Sequence, residues 1–450
     1  MDSLEATVRA VLQPLLFPGA RLTLGLSGGL DSVVLLRVLR GLAGPLGFHF
    51  SCVHVNHNIS PNSSRWAAFC ARLCKRHKVA LAVHEVDVAQ YRAEGLEAAA
   101  RRARYQVYAG QDNADFIVLA QHLDDQAETL LLQLLRGAGV RGGAAMPIVR
   151  AQDRGKKHQG ALAPAILRPM LAISRRQLEA YARAKKLKWV EDESNADTRR
   201  DRNFLRHRVL PVIGQAFPGY RATLARAAGH LAEASLMLDQ LAQADAKRAA
   251  QGNRLALAEL RRLGIPRAKN LLRWLLLRQG QAAPEADRLQ EGLRQLLEAG
   301  DDAAVRVTLG ALELRRYAGF AYLLPLLPDP LAQLRREWDG ARIWPLPELG
   351  GTLRFTRRHG AGLACARVGE RGLNLRLRQG GEKLRLQAQG STRSLKNLLQ
   401  EARLPPWERE RLPLVYCGNT LVAVPGLGVA AGWQTGAGNF GWTITWQRQE

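Results

Sequence analysis

An apolar run, Leu22-Thr23-Leu24-Gly25-Leu26, leads directly into Ser27-Gly28-Gly29-Leu30-Asp31-Ser32 and then into a second apolar run, Val33 to Leu39, with helical spacing. No other stretch constrains the fold as tightly. A buried strand must turn through a glycine-rich loop straight into a buried helix, which is the junction of a parallel-sheet unit. Gly28 and Gly29 tolerate positive φ and let backbone N–H groups close around an anion. The helix expected to start near Ser32 aims its free N–H groups and the positive end of its dipole into the same space. The loop therefore suits phosphate. Loops that transfer a γ-phosphate carry Lys directly before the Ser/Thr, whereas Asp31 stands here, and a carboxylate beside phosphates calls for a bridging Mg²⁺.

The same alternation continues. Phe50–Val55 precedes the helical run 64–77, Ala80–Val86 precedes 96–109, and Phe116–Ala120 precedes 124–136. These pairs predict an α/β fold in which helices flank a parallel sheet, with the ligand beyond the carboxyl ends of the strands. Arg150 to Gln159 is polar and reads as an exposed loop or hairpin tip, after which Ile166–Leu171 and a helix over 174–186 complete the sheet domain. Ala, Leu, Arg and Gln at helical spacing over 220–248 and 284–298 predict a mostly helical middle domain, and Pro325, Pro328 and Pro330 mark a linker. Gly-punctuated runs at 351–356, 372–377 and 420–424 suit a small α+β domain. The expected boundaries are 1–215, 216–330 and 331–450.

A chain of 450 residues is too long for one ordinary core. Its 65 Lys and Arg against 40 Asp and Glu leave a net charge of +25, which favours a polyanionic partner, nucleic acid above all. The N-terminus carries Asp2 and Glu5 with no long apolar run behind them, so neither a secretory signal nor a membrane span is expected and the reading is cytoplasmic. Five cysteines at irregular spacing (Cys52, Cys70, Cys74, Cys365 and Cys417) argue against a disulfide framework, and Cys70 and Cys74 read as buried thiols on a helix. Oligomeric state leaves no signature.

A second motif, Val118-Leu119-Ala120-Gln121-His122-Leu123-Asp124-Asp125-Gln126-Ala127-Glu128-Thr129, begins on a strand and runs into a helix. Leu131, Leu134 and Leu135 are its expected buried stripe, and His122, Asp125 and Glu128 fall by threes on the other face. Such groups can hold Mg²⁺ or an ammonium ion. Alternatively, Asp124 and Asp125 complement the helix dipole and Glu128 is a solvated surface residue. The phosphate loop on the same sheet edge tips the choice toward function.

The loop Ser27–Ser32 resembles that of the PP-loop ATP pyrophosphatases, the adenine nucleotide α-hydrolase-like fold; this implies cleavage of ATP between its α and β phosphates. The runs Gln121–Gly143, Glu97–Tyr105, Glu191–Asp197 and Arg202–Arg206 are together similar to the tRNA(Ile)-lysidine synthases, and Gly380–Leu384 and Leu395–Trp407 extend the likeness to their long form. The resemblance implies adenylylation of the C2 oxygen of the wobble cytidine in the CAU anticodon of isoleucine tRNA. The ε-amine of free L-lysine then displaces AMP. It also implies residue roles. Ser27, Gly28, Gly29, Leu30, Asp31 and Ser32 would hold ATP, with Asp31 at Mg²⁺ and Asp125 or Glu128 as further metal candidates. His54, Asn56 and His57 would lie near the nucleotide. His122, Asp125 and Glu128 match the lysine- and metal-associated part of the motif, and Arg202 and Arg206 would bring positive charge to the reacting groups. The middle and C-terminal domains would bind tRNA.

The chain departs from the family pattern in three places: Asn58-Ile59-Ser60-Pro61 replaces a common Gly-Leu-Arg, Gln121 stands where a His often precedes His122, and Arg141-Gly142-Gly143-Ala144 replaces a Gly-Leu turn. Other chemistries fit less well. A sulfur-inserting tRNA enzyme commonly uses paired cysteines, and a glutamine-dependent synthetase needs a glutaminase nucleophile that is not in evidence. A degenerate, RNA-binding-only domain conflicts with intact Asp31, Asp125 and Glu128.

Overall fold

The computed structural model describes residues 3–88, 95–151, 163–193, 197–281, 284–300, 303–326, 334–368 and 372–448. It forms two compact units, Met1–Gln240 and Leu241–Glu450. In the first, α1 (Ser3–Leu12) precedes β1 (Arg21–Gly25), α2 (Leu30–Leu46), β2 (His49–Asn56), α3 (Ser63–His77), β3 (Ala80–Glu85) and α4 (Leu96–Ala109). Then come β4 (Phe116–Val118), α5 (Leu123–Leu135), α6 (Val140–Gly143), β5 (Val149–Arg150), β6 (Ala165–Leu167) and α7 (Arg175–Ala184). The strands lie in the order β3-β2-β1-β4-β6-β5, all parallel except the β5–β6 pair.

All four expected strand–helix pairs are present. β1 is central and buried on both faces, Leu22 and Leu24 on one and Thr23 on the other, and Leu24 is in register with Cys52 on one side and Val118 on the other. Successive strands leave β1 toward β2 and β3 in one direction and toward β4 and β6 in the other, so the order reverses between β1 and β4. That reversal opens a crevice at the carboxyl ends of these two strands. The glycine-rich loop leaves one of them and the Gln121–Glu128 segment leaves the other.

Two local expectations need correction. Helix α2 begins at Leu30, ahead of Ser32, with Gly29 as its N-cap. On α5 the buried set is Asp125, Gln126, Ala127, Glu128 and Leu130, whereas Leu134 and Leu135 are 50% and 68% exposed. Apolar spacing marks a stripe without saying which face turns inward, and arginines from a distant segment make the polar face the buried one here. The expected loop at Arg150–Gln159 falls, past Ala151, outside the described residues.

The first unit continues through α8 (Asp201–Phe204), a π-helical turn (Leu205–Val209), α9 (Leu210–Ala216) and α10 (Tyr220–Ala249). Beyond it come α11 (Leu257–Arg278) and α12 (Ala286–Glu298), the second of which falls on the run 284–298 read as helical. They bury Leu271, Leu272, Leu276, Leu289, Leu293 and Leu296 against a sheet that periodicity did not reveal. Its strands are β7 (Ala250–Gln251), β8 (Arg254–Ala256), β9 (Arg306–Leu309), β10 (Leu312–Tyr317) and β11 (Phe320–Pro325), in the order β7-β8-β11-β10-β9. They are short and charged. Glu313 is 1% exposed and pairs with Arg306 Nε at 2.7 Å and Arg315 Nε at 2.6 Å.

From Leu334 onward the chain is built of antiparallel strands, including Gly351–His359 paired along its length with Phe440–Arg448, and short helices such as Leu395–Glu401. The buried Trp407 packs edge-on against Tyr322 at 5.1 Å and Tyr317 at 6.3 Å, and Arg409 Nη2 donates to Tyr317 Oη at 2.7 Å. The strand-rich end is therefore keyed into the β10–β11 hairpin. Pro328 and Pro330 of the expected linker lie outside the described residues. Among the described residues no helix is long and apolar enough to cross a membrane.

Candidate active site

The glycine-rich loop is shaped by its own hydroxyls. Gly28 sits at φ 88°, and a Cβ there would come within 3.0 Å of Val190 Cγ2 and 3.1 Å of Cys70 Sγ, so the position requires glycine on both counts. Ser32 Oγ accepts from the Gly28 N–H at 3.1 Å and donates to the Gly29 carbonyl at 3.0 Å, while Ser27 Oγ accepts from the Gly29 N–H at 3.3 Å. Leu30 is buried and anchors the first turn of α2. Beside the loop, Asn62, Arg65, Phe69, Arg72, Val190 and Glu193 help line a cavity of about 460 Å³. Spacing gave no hint of Phe69 or Val190.

Asp31 lies at the mouth of the crevice. Burial raises its carboxyl above the ordinary range, and His122 and Arg175 pull it back down. Arg175 Nη1 lies 2.7 and 2.8 Å from its two oxygens. His122, 3% exposed, presents Nε2 at 3.8 Å from Asp31 and 3.5 Å from Asp125, and its Nδ1 is 3.7 Å from Asp124 without a hydrogen bond. Three carboxylates thus surround one imidazole. Asp125 also accepts the His122 backbone N–H at 3.0 Å, which caps α5 and fixes the ring's base.

Deeper along α5, Glu128 is 1% exposed. Arg202 Nε donates to Glu128 Oε2 and Arg202 Nη2 to Asp125 Oδ1, both at 2.8 Å. Arg206 adds bonds from Nε to Glu128 Oε1 at 2.6 Å and from Nη2 to Asp125 Oδ1 at 3.2 Å. Arg202 comes from the α-helical turn Asp201–Phe204 and Arg206 from the π-helical turn that follows it; π-helical turns concentrate at functional sites. Charges this buried survive only when paired and hydrogen-bonded. Asp125 consequently sits below its usual carboxyl range despite burial, through His122, Arg202 and Arg206. The solvated-surface alternative for Glu128 is excluded.

Asp124 belongs to the scaffold: Oδ2 accepts the Arg175 backbone N–H at 2.8 Å and Oδ1 accepts from Arg221 Nε. Arg175 and Arg221 escaped the sequence reading because nothing local distinguishes them among so many arginines.

The residues ending β2 are more varied. His54 is buried with Nδ1 2.8 Å from the Leu26 carbonyl, and burial lowers its pKa. Asn56 accepts the Asn58 N–H at 3.0 Å. His57 Nε2 accepts from Arg104 Nε at 3.4 Å, and burial together with Arg104 pulls it down to about 4. His57 lines a cavity of about 610 Å³ with Asn58, Ile59, Glu85 and Leu96. The structure therefore unites Asp31, His122, Asp125, Glu128, Arg202 and Arg206, whereas no contact ties His57 to them.

The departures are accommodated locally. Gln121 Oε1 accepts from Arg168 Nε at 2.5 Å, and Arg141 pairs with Asp239. All five cysteines are thiols; Cys52, Cys70 and Cys74 are buried, with Cys70 pushed up to about 12 by burial and by Cys74.

Comparison with known proteins agrees with this geometry. Residues 2–213 match the model of a PP-loop domain, residues 255–322 a TilS substrate binding domain and residues 373–446 a TilS substrate C-terminal domain. The chain is 44% identical to a tRNA(Ile)-lysidine synthase of Nitrosomonas europaea over 95% of its length and 92% of the relative's. A relative of the same name from Azoarcus sp. is 42% identical over 95% and 92%, and one from Coxiella burnetii 35% over 93% and 91%. On its sequence, its fold and the loop and helix that meet at the β1–β4 crevice, this chain belongs to the tRNA(Ile)-lysidine synthase family of ATP-dependent ligases.

Proposed function

We propose that this chain ligates free L-lysine to C2 of the wobble cytidine in the CAU anticodon of isoleucine tRNA, through an adenylylated tRNA, with release of AMP and pyrophosphate. One observation carries the reading: the Ser27–Ser32 loop and the His122–Asp125–Glu128 face occupy the same strand-order reversal, with Asp31 and Asp125 within 4 Å of one imidazole nitrogen. A phosphate cradle and a polar reaction centre share one wall.

The loop N–H groups and the start of α2 hold the triphosphate. Asp31 offers hard carboxylate oxygen beside the loop and would hold Mg²⁺ together with substrate phosphates, whereas the oxygens of Asp125 and Glu128 are engaged by Arg202 and Arg206. When bound, the ion offsets charge on the departing pyrophosphate. Arg202 and Arg206, oriented by Asp125 and Glu128, present fixed positive charge, the arrangement that stabilises charge developing at a reacting phosphate.

Free lysine carries an amine of pKa ~10.4, so presenting it neutral at pH 7 costs about 4–5 kcal/mol. Asp125 is a poor proton acceptor because its pKa is depressed. His122, whose Nε2 lies between Asp31 and Asp125, is the other group placed to exchange a proton with the amine. The basic middle and C-terminal regions grip the tRNA, and the reaction takes place in the cytoplasm.

Incubation with ATP, labelled lysine and unmodified CAU-anticodon isoleucine tRNA tests this. Label should enter the tRNA only when all three are present, with AMP and pyrophosphate as products. Release of ADP and orthophosphate would overturn the reading.

A further inference from the structure

In the first unit three arginines gather around one tyrosine. Tyr105 of α4 has Arg101 4.9 Å and Arg150 4.8 Å from its ring centroid. Arg101 Nη2 also donates to its hydroxyl at 3.4 Å, and the buried Arg168 lies near enough to interact with it electrostatically. Among the described residues no carboxylate pairs with Arg101, Arg150 or Arg168. Arg168 is 2% exposed and held by Gln121 Oε1 at 2.5 Å and the Pro147 carbonyl at 2.8 Å. A buried cation beside two like charges is unfavourable by itself, and its pKa is lowered by burial and by Arg150 and Arg101. An arriving anion relieves that cost.

The cluster's place in the fold indicates which anion. Arg168 follows the carboxyl end of β6, and its partner Gln121 is the residue before His122. The carboxylates beside this point (Asp31, Asp124, Asp125 and Glu128) are matched by Arg175, Arg221, Arg202 and Arg206, whereas the arginines around Tyr105 have no such match among the described residues. Arg101 is exposed and Arg150 half-buried, so the two guanidinium groups that can reach a ligand face an open surface. An open, cationic, aromatic surface suits a strand of RNA better than a small amino-acid carboxylate, which needs enclosure.

We propose that Arg101 and Arg150, stiffened by Tyr105 and by the buried Arg168, bind a phosphodiester of the RNA strand next to the nucleotide that enters the reaction crevice. This rests on the reading that tRNA is the substrate. Arg168 is a positioning residue, and the two flanking arginines make the contact.

Full-length Arg101→Ala, Arg150→Ala and the double variant would be titrated with unmodified CAU-anticodon isoleucine tRNA at several salt concentrations, beside ATP binding and the KM for lysine. The double variant should bind tRNA about 10- to 100-fold more weakly, with its salt slope reduced by about one to two, and ATP affinity and lysine KM should hold. Unchanged tRNA affinity and slope would overturn the proposal. So would a rise confined to lysine KM, which would assign the cluster to an amino-acid carboxylate, or a loss confined to ATP. Thermal melting of each variant separates these outcomes from misfolding, and a wild type that binds no tRNA would instead overturn the reading of the substrate.

Discussion

Arg206 grips Glu128 with two parallel bonds, Nε to Oε1 at 2.6 Å and Nη2 to Oε2 at 2.8 Å, across 78 residues of sequence. Because Glu128 is almost wholly buried, its charge depends on Arg206 and Arg202 together. Arg202→Met/Arg206→Met should lower the free energy of unfolding by about 3–5 kcal/mol, the cost of stranding a buried charge. Urea unfolding measures it, and a loss below 1 kcal/mol would show that Glu128 finds water. Glu128→Gln leaves half-exposed arginines that water can solvate; it should fold yet lose about 100-fold in lysine incorporation as they lose their aim.

Asp31→Asn should lower pyrophosphate release by about 100-fold or more while tRNA binding is retained. Its stability signature has a defined sign. A carboxyl whose folded-state pKa is raised favours the protonated form, so ionised Asp31 costs stability at neutral pH and that cost fades as pH falls. The variant should gain on wild type at pH 7 relative to pH 4. The opposite trend in the two urea midpoints would contradict the burial assigned to Asp31.

His57 makes the converse case. Its pKa falls from 6.5 to about 4 in the folded chain, so the unfolded chain takes up a proton that the folded one refuses between those values. Wild type should lose stability as pH drops from 6.5 toward 4, and His57→Asn should remove that component. Parallel pH profiles for the two proteins would count against it.

Trp407→Ala should cost about 3–5 kcal/mol in the second unit, since it empties the socket made by Tyr317 and Tyr322. Calorimetry should show a lower melting temperature for that unit alone. A change confined to the first unit would be inconsistent with this packing.

Much of the first unit could be read from residue order. The strand–helix alternation, the phosphate loop and the triplet His122, Asp125 and Glu128 all rest on short-range spacing, and spacing survives in a sequence. What spacing cannot carry is the identity of partners brought in from afar. Leu134 and Leu135 are exposed because Arg202 and Arg206 turn the polar face of α5 inward, and those arginines lie 74 and 78 residues from Glu128. Arg175 on Asp31 and Arg221 on Asp124 were hidden for the same reason. The β8–β11 sheet was missed because its strands are short and carry Glu313, Arg315 and Arg316, and the ion pairs that make such strands buriable are themselves tertiary.

The seating of Trp407 on the β10–β11 hairpin bears on how this protein can be shortened. A chain ending before that indole would leave two tyrosine rings facing solvent on a paired-strand surface, an adhesive patch where the intact protein has none.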